Sequence, residues 1–147
     1  MFQDHSRDQL RLTYCRVWQR LRAGQPLKPL EAQIAEVIVA HPEYQPLLED
    51  QDDASGRDFD IGLGATNPFL HMGMHLALGE QVATDRPAGI AALHRQLCIQ
   101  HGDRQAAEHA MMECLGEALW SAQRHATAPD ETRYMGCLRR LSATKTR

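Results

Sequence analysis

The sequence predicts an all-α protein, a single-domain bundle of five to six helices over residues 1–147. Three observations carry that reading. Apolar residues recur at three- and four-residue spacing along most of the chain. No segment alternates with the period of two that a half-buried strand shows. Proline, glycine and asparagine stand where helices start and stop.

The first helix is expected over 6–23, where Leu10, Tyr14, Val17, Trp18 and Leu21 form the apolar stripe. Arg7, Arg11, Arg16, Arg20 and Arg22 fill the remainder, and Gly24 stops it. The second begins near Pro29 and carries Leu30, Ile34, Val37 and Ile38. It ends at His41-Pro42, because proline disfavours helical geometry in the residue before it. A short turn over 42–48 leads into the acidic stretch 50–66. That stretch is expected as a mobile loop, since it has few apolar side chains to offset the entropy of ordering. A lid anchored by Phe59 and Ile61 is the alternative. Asn67-Pro68 reads as the cap and first residue of a third helix reaching residue 83. Thr84 or Asp85 caps a fourth over 87–101, with Ile90, Leu93 and Leu97 inward. Gly102-Asp103 breaks the chain and restarts it as the longest helix, 104–125. Pro129 opens the last, bearing Tyr134, Cys137, Leu138 and Leu141, and residues 142–147 are expected to fray. These stripes place Trp18, Leu21, Ile34, Ile38, Phe69, Leu76, Leu97, Leu115 and Leu119 in the core, with Trp120 as a further anchor.

Sixteen Lys and Arg against nineteen Asp and Glu leave a net charge of −3. That argues against nucleic acid or an anionic membrane as a partner, since both need clustered cations. No apolar run approaches the ~20 residues of a membrane span. The N-terminal stretch lacks the apolar core of a signal peptide, so a cytoplasmic location is expected. Thiols stay reduced there, and Cys15, Cys98, Cys114 and Cys137 are widely spaced without a C-x-x-C pair. Neither a disulfide framework nor a cysteine zinc site is therefore expected, and Cys98, Cys114 and Cys137 read as small core residues. Gly62-Leu63-Gly64 lacks the spacing of a phosphate or dinucleotide loop.

The histidines are the informative residues, eight in 147. Between Pro68 and Gly79 the third helix has no charge and nothing polar except His71 and His75. They lie one turn apart on the face opposite Glu80, and a helix apolar nearly all round is a buried one. A core imidazole must satisfy two ring nitrogens, by hydrogen bonds or by a metal. On the long helix His109, Glu113 and Glu117 form one stripe, and Glu108 lies apart from it among Met111, Met112 and Leu115. If the stripe faces inward, His109 and Glu113 join His71 and His75 as three imidazoles and a carboxylate, a set suited to zinc, iron or manganese. If it faces water, Glu108 becomes the buried carboxylate in need of a partner. His41 extends the stripe of the second helix and is a further possible ligand, as is Glu108. His94 and His101 border solvent, and His5 and His125 sit near element ends. No metalloprotease motif is present: Gln105 stands where the inverse motif needs its first histidine.

Several stretches, read together, resemble a family. They are Arg22-Ala-Gly-Gln-Pro-Leu27, His41-Pro-Glu-Tyr44, Asn67-Pro-Phe-Leu-His71 with His75-Leu76, Asp85-Arg-Pro-Ala-Gly-Ile90, the segment from Glu108 to Trp120, and Cys137-Leu-Arg-Arg140. The chain is similar over nearly its whole length to small proteobacterial proteins sharing domain of unknown function 1841. The resemblance implies one bacterial domain and supplies no activity and no catalytic residue. Two classes of function stay open. One is a helical bundle binding a divalent metal through inward His and Glu residues. The other is a metal-free protein–protein interaction module with a buried His–carboxylate hydrogen-bond network.

Overall fold

Helix boundaries in this chain follow from caps and breakers, and the structure, a computed structural model describing residues 2–50 and 67–143, shows each one. Helix α1 (Phe2–Arg22) is followed by Gly24, whose φ of +70° suits glycine. Helix α2 (Pro29–Val39) starts with proline, and the Glu31 carboxylate accepts from the Lys28 backbone N–H at 2.9 Å. Pro42 then forces a break: Pro42–Tyr44 forms a 3-10 turn, and α3 (Gln45–Glu49) follows. Helix α4 (Pro68–Thr84) is capped by Asn67, whose Oδ1 accepts from the Phe69 and Leu70 N–H groups at 3.0 and 3.2 Å. Helices α5 (Ile90–His101), α6 (Arg104–His125) and α7 (Glu131–Ala143) complete the chain. Among the described residues there is no strand, and no helix is long and apolar enough to cross a membrane. The all-α class holds, with seven α-helices among the described residues where five to six were expected. One addition is the short α3, inside a segment read as a turn.

Helix α1 begins at Phe2 rather than residue 6, and two later starts differ from the sequence reading because a side chain takes the first backbone N–H groups. Helix α5 starts at Ile90, not 87. Asp85, itself at φ +51°, accepts from the Gly89 and Ala91 N–H groups through Oδ1, and Gly89 turns the chain at φ +97°. Helix α7 starts after Asp130, which accepts from the Arg133 N–H at 3.1 Å, and not at Pro129. Its end does not fray at 142: the Ser142 carbonyl accepts from Gln100 Nε2 at 2.8 Å, tying it to α5. The loop expected over 51–66, the Phe59–Ile61 lid and residues 144–147 lie outside the described residues.

Contacts divide the chain into two units, Met1–Leu76 and Ala77–Arg147, with the boundary inside α4. In the first, α1 packs on α2 and α3. Tyr14, Val17, Ile34, Ile38, Leu48, Phe69 and Met72 form its buried core, and Trp18, Leu21 and Leu76 pack half-buried against it. Arg11, read as part of the polar face, is only 2% exposed. Its guanidinium lies 5.0 Å from the centre of the Phe69 ring, a cation–π contact.

In the second unit α5, α6 and α7 pack on one another around Ile90, Leu97, Met111, Leu115, Tyr134 and Leu138. Leu119 and Trp120 are exposed, against expectation. Periodicity fixes the direction of a side chain, not what covers it. Trp120 shares a helix face with the exposed His109 and Glu113, and Arg124 lies over its ring at 5.1 Å. A second correction concerns cysteine. Cys114 of α6 and Cys137 of α7 form a disulfide, their Cα atoms 5.8 Å apart. Their 23-residue separation gave no motif; only the packing of two consecutive helices brings the sulfurs together. Cys15 and Cys98 are free thiols.

Leu115 is 5% exposed, so Leu115→Ala should lower the unfolding free energy by about 2–5 kcal/mol in urea titrations. Burial pushes the phenols of Tyr14 and Tyr134 from 10.0 up to about 12. The unfolded chain releases these protons near its ordinary value while the native chain holds them, so stability should fall as pH rises from 10.0 to about 12. Denaturation midpoints across that range, with tyrosinate absorbance followed in parallel, check this. A midpoint unchanged up to the upper end would contradict it.

Candidate metal centre

Each histidine of the first unit is placed by a local rule. The Asn67 cap starts α4, and the helical repeat then sets His71 and His75 on one face a turn apart. His41 follows α2 directly. Its N–H donates to the Ile38 carbonyl at 3.0 Å, and Pro42 keeps the helix from continuing past it. His41 and His75 are 3% and 4% exposed, and His71 is half-buried.

The three rings form a nearly equilateral triangle. Ring centres are 4.8 Å apart for His41–His75, 4.9 Å for His71–His75 and 5.0 Å for His41–His71. Planes cross at 55°, 71° and 80°, so no pair is stacked. With metal–nitrogen bonds of about 2.0–2.1 Å, each ring centre lies roughly 3.2 Å from a shared ion; centres are then about 4.5 Å apart for right-angle bonds and about 5.2 Å for tetrahedral ones. The observed triangle falls between these values. The ligand nitrogens of the three lie within 4.8 Å of one another.

Two contacts fix the His41 ring. Its Nδ1 lies 2.8 Å from the Val37 carbonyl, which can only accept, so Nδ1 carries the proton. In the neutral ring Nε2 then holds the lone pair a metal needs. A carbonyl on the other ring nitrogen is the usual support of a metal-binding imidazole. Tyr44 stacks on His41, centres 5.4 Å apart and planes 6° from parallel, and meets His71 edge-on at 6.0 Å. Burial, with the Glu43 charge beside it, pushes the Tyr44 phenol up.

Not every expected ligand joins this triangle. His109 lies on α6. It is exposed and belongs to the second unit, so the geometry developed here is that of the three. Glu113 is exposed on α6 and is not in the group. Glu108, the other possible carboxylate, is 2% exposed and engaged elsewhere. Its Oε2 meets His94 Nε2 and Arg104 Nε, each at 2.9 Å. Of the two placements weighed for α6, the side chains adopt the one that puts His109, Glu113 and Glu117 on the exposed face and buries Glu108 with partners. Cys98 Sγ sits 3.7 Å from His94 Nε2. Burial and the Glu108 carboxylate push its thiol up, which keeps it protonated rather than nucleophilic. His125 is exposed at the end of α6, its Nδ1 2.9 Å from the Ser121 carbonyl.

Sequence reasoning treated His41 as a secondary candidate, and the fold makes it a corner of the triangle. Tyr44 escaped notice, although its place three residues after His41 is the spacing at which a tight turn stacks two rings.

No curated protein and no solved structure matches the chain. The sequence model described as "Domain of unknown function (DUF1841)" matches residues 6–140. That span takes in the whole histidine triangle, the Glu108 network and the disulfide, and the chain belongs to the DUF1841 family.

Proposed function

We propose that the protein binds one divalent transition metal through His41, His71 and His75, and that residues 1–147 work as one cytoplasmic domain. The observation that carries the reading is the triangle of imidazoles, whose three centre-to-centre distances all fit one shared ion. Taking His41 in place of the expected His109 and Glu113 changes the donor set from three nitrogens and a carboxylate to nitrogen alone. Imidazole suits zinc and iron, whereas manganese prefers oxygen, so the choice among the three narrows towards zinc or iron. Three imidazole nitrogens would leave a fourth position that water can reach. A bound ion supplies Lewis acidity and lowers the pKa of that water, the chemistry of hydrolytic centres. His41 is held by the Val37 carbonyl and the Tyr44 ring.

The metal-free alternative, an interaction module with a buried His–carboxylate network, draws on a separate observation: His94, Glu108 and Arg104 do form such a network. It involves none of the triangle, so the two readings separate experimentally.

Elemental analysis of the untagged full chain should find stoichiometric zinc or iron, removable by chelation and restored on titration. His75→Ala should abolish binding, and His125→Ala should leave it unchanged. Far-ultraviolet circular dichroism of each variant separates loss of a ligand from loss of the fold. A folded chelated protein that takes up neither zinc nor iron(II) would defeat the proposal and leave the interaction module.

A further inference from the structure

The second unit holds a cleft of about 650 Å³ whose wall includes both sulfur-bearing residues of the Cys114–Cys137 disulfide. This volume is that of a small-molecule site. The two sulfurs are not equivalent. Cys114, inside α6, is 2% exposed, whereas Cys137 on α7 is half-exposed. Cys137 is thus the less buried of the two cysteines lining the cleft.

The charges around that sulfur have a definite arrangement. Arg133, Cys137 and Arg140 stand at i, i+4 and i+7 on α7, one stripe with a guanidinium on either side of the cysteine, and all three line the cleft. Arg140 folds back along the helix: its Nη1 lies 3.6 Å from where a β-carbon on Gly136, the residue before Cys137, would stand. His125 adds a third nitrogen base at the cleft wall. Glu117 and Asp130 also line it, the second already accepting the Arg133 backbone N–H at the start of α7. A ligand matching this wall carries carboxylates for the arginines and an ammonium for Glu117.

We propose that Cys114–Cys137 is an exchangeable disulfide and that the cleft takes a low-molecular-weight thiol bearing carboxylates, of the γ-glutamyl peptide class. The thiolate attacks Cys137 Sγ and forms a mixed disulfide there. The Cys114–Cys137 bond breaks, and its electron pair leaves on Cys114 Sγ, which takes a proton from water. A second thiolate attacks the thiol sulfur of the mixed disulfide and releases Cys137. Two thiols are thereby oxidised to one disulfide as the protein disulfide is reduced to two thiols, and the oxidised peptide drives the reverse. Both arginines stabilise the anionic sulfur in each step, and an accessible bond is the kind that exchanges. In a reducing cytoplasm, the location proposed above, disulfides are usually transient ones of this type.

The probe is glutathione, added to the native full chain without denaturant. Thiols are quenched with acid and mapped by mass spectrometry. Reduction should rise in proportion to glutathione concentration, pass through an adduct on Cys137, and spare Cys15 and Cys98. At equal thiolate concentration glutathione should outpace cysteamine, which carries no carboxylate, by roughly tenfold. The Arg133→Ala/Arg140→Ala double variant should lose that preference, and Cys114→Ser treated with oxidised glutathione should accumulate the adduct on Cys137. Failure of the native chain to react, a rate independent of thiol concentration, or equal rates with the two thiols would each overturn the proposal. The wild-type measurements decide it even if a variant fails to fold.

Discussion

An imidazole removed from water has two ring nitrogens to satisfy, and the first unit presses three imidazoles against one another. Much of the surrounding structure serves that constraint. Asn67 fixes where α4 begins, and hence which face carries His71 and His75. Pro42 ends the helix at the residue that places His41 beside them, and the Val37 carbonyl decides which nitrogen of His41 bears the proton. Tyr44, held by the same short turn, closes one side of the ring cluster with an apolar face. Apolar side chains alone would pack this core with less constraint. Three rings at angles of 55–80° need fixed backbone anchors, which the caps and the proline supply.

The second unit solves a related problem differently. A buried carboxylate is costly unless it is paired, and Glu108 is held by His94 from α5 and Arg104 from its own helix. Residues on α6 therefore divide sharply by face. Glu108, Met111, Met112 and Leu115 lie inside, and the adjacent Glu113 and Glu117 are exposed. The disulfide joins α6 to α7 on a further face, with Cys114 buried and a cleft alongside. Histidine, carboxylate and sulfur thus appear in three separate settings. One chain can combine a metal-type cluster, a neutralised buried acid and an accessible disulfide because consecutive helices expose different faces to different neighbours.

What the sequence by itself determined is local. The helical period fixed the class. The Asn67-Pro68 start, the Gly102-Asp103 restart and the pairing of His71 with His75 are written in spacings of a few residues, where backbone geometry alone dictates direction. The special standing of the α4 histidines was legible for the same reason, since an apolar helix with two polar residues must put them to use. Tertiary structure decided everything that depends on a second element. The place of His41 beside α4 comes from two helices meeting after a proline break. The choice between Glu108 and the Glu113 stripe needed the position of α5, and the Cys114–Cys137 bond needed the packing of α6 on α7. Trp120, large and aromatic, looked like a core residue but shares the exposed face of its helix. Periodicity states which residues point together, because it follows from the geometry of one backbone. Which neighbour they meet is set by how several helices jointly bury their apolar surface, and no single segment contains that information.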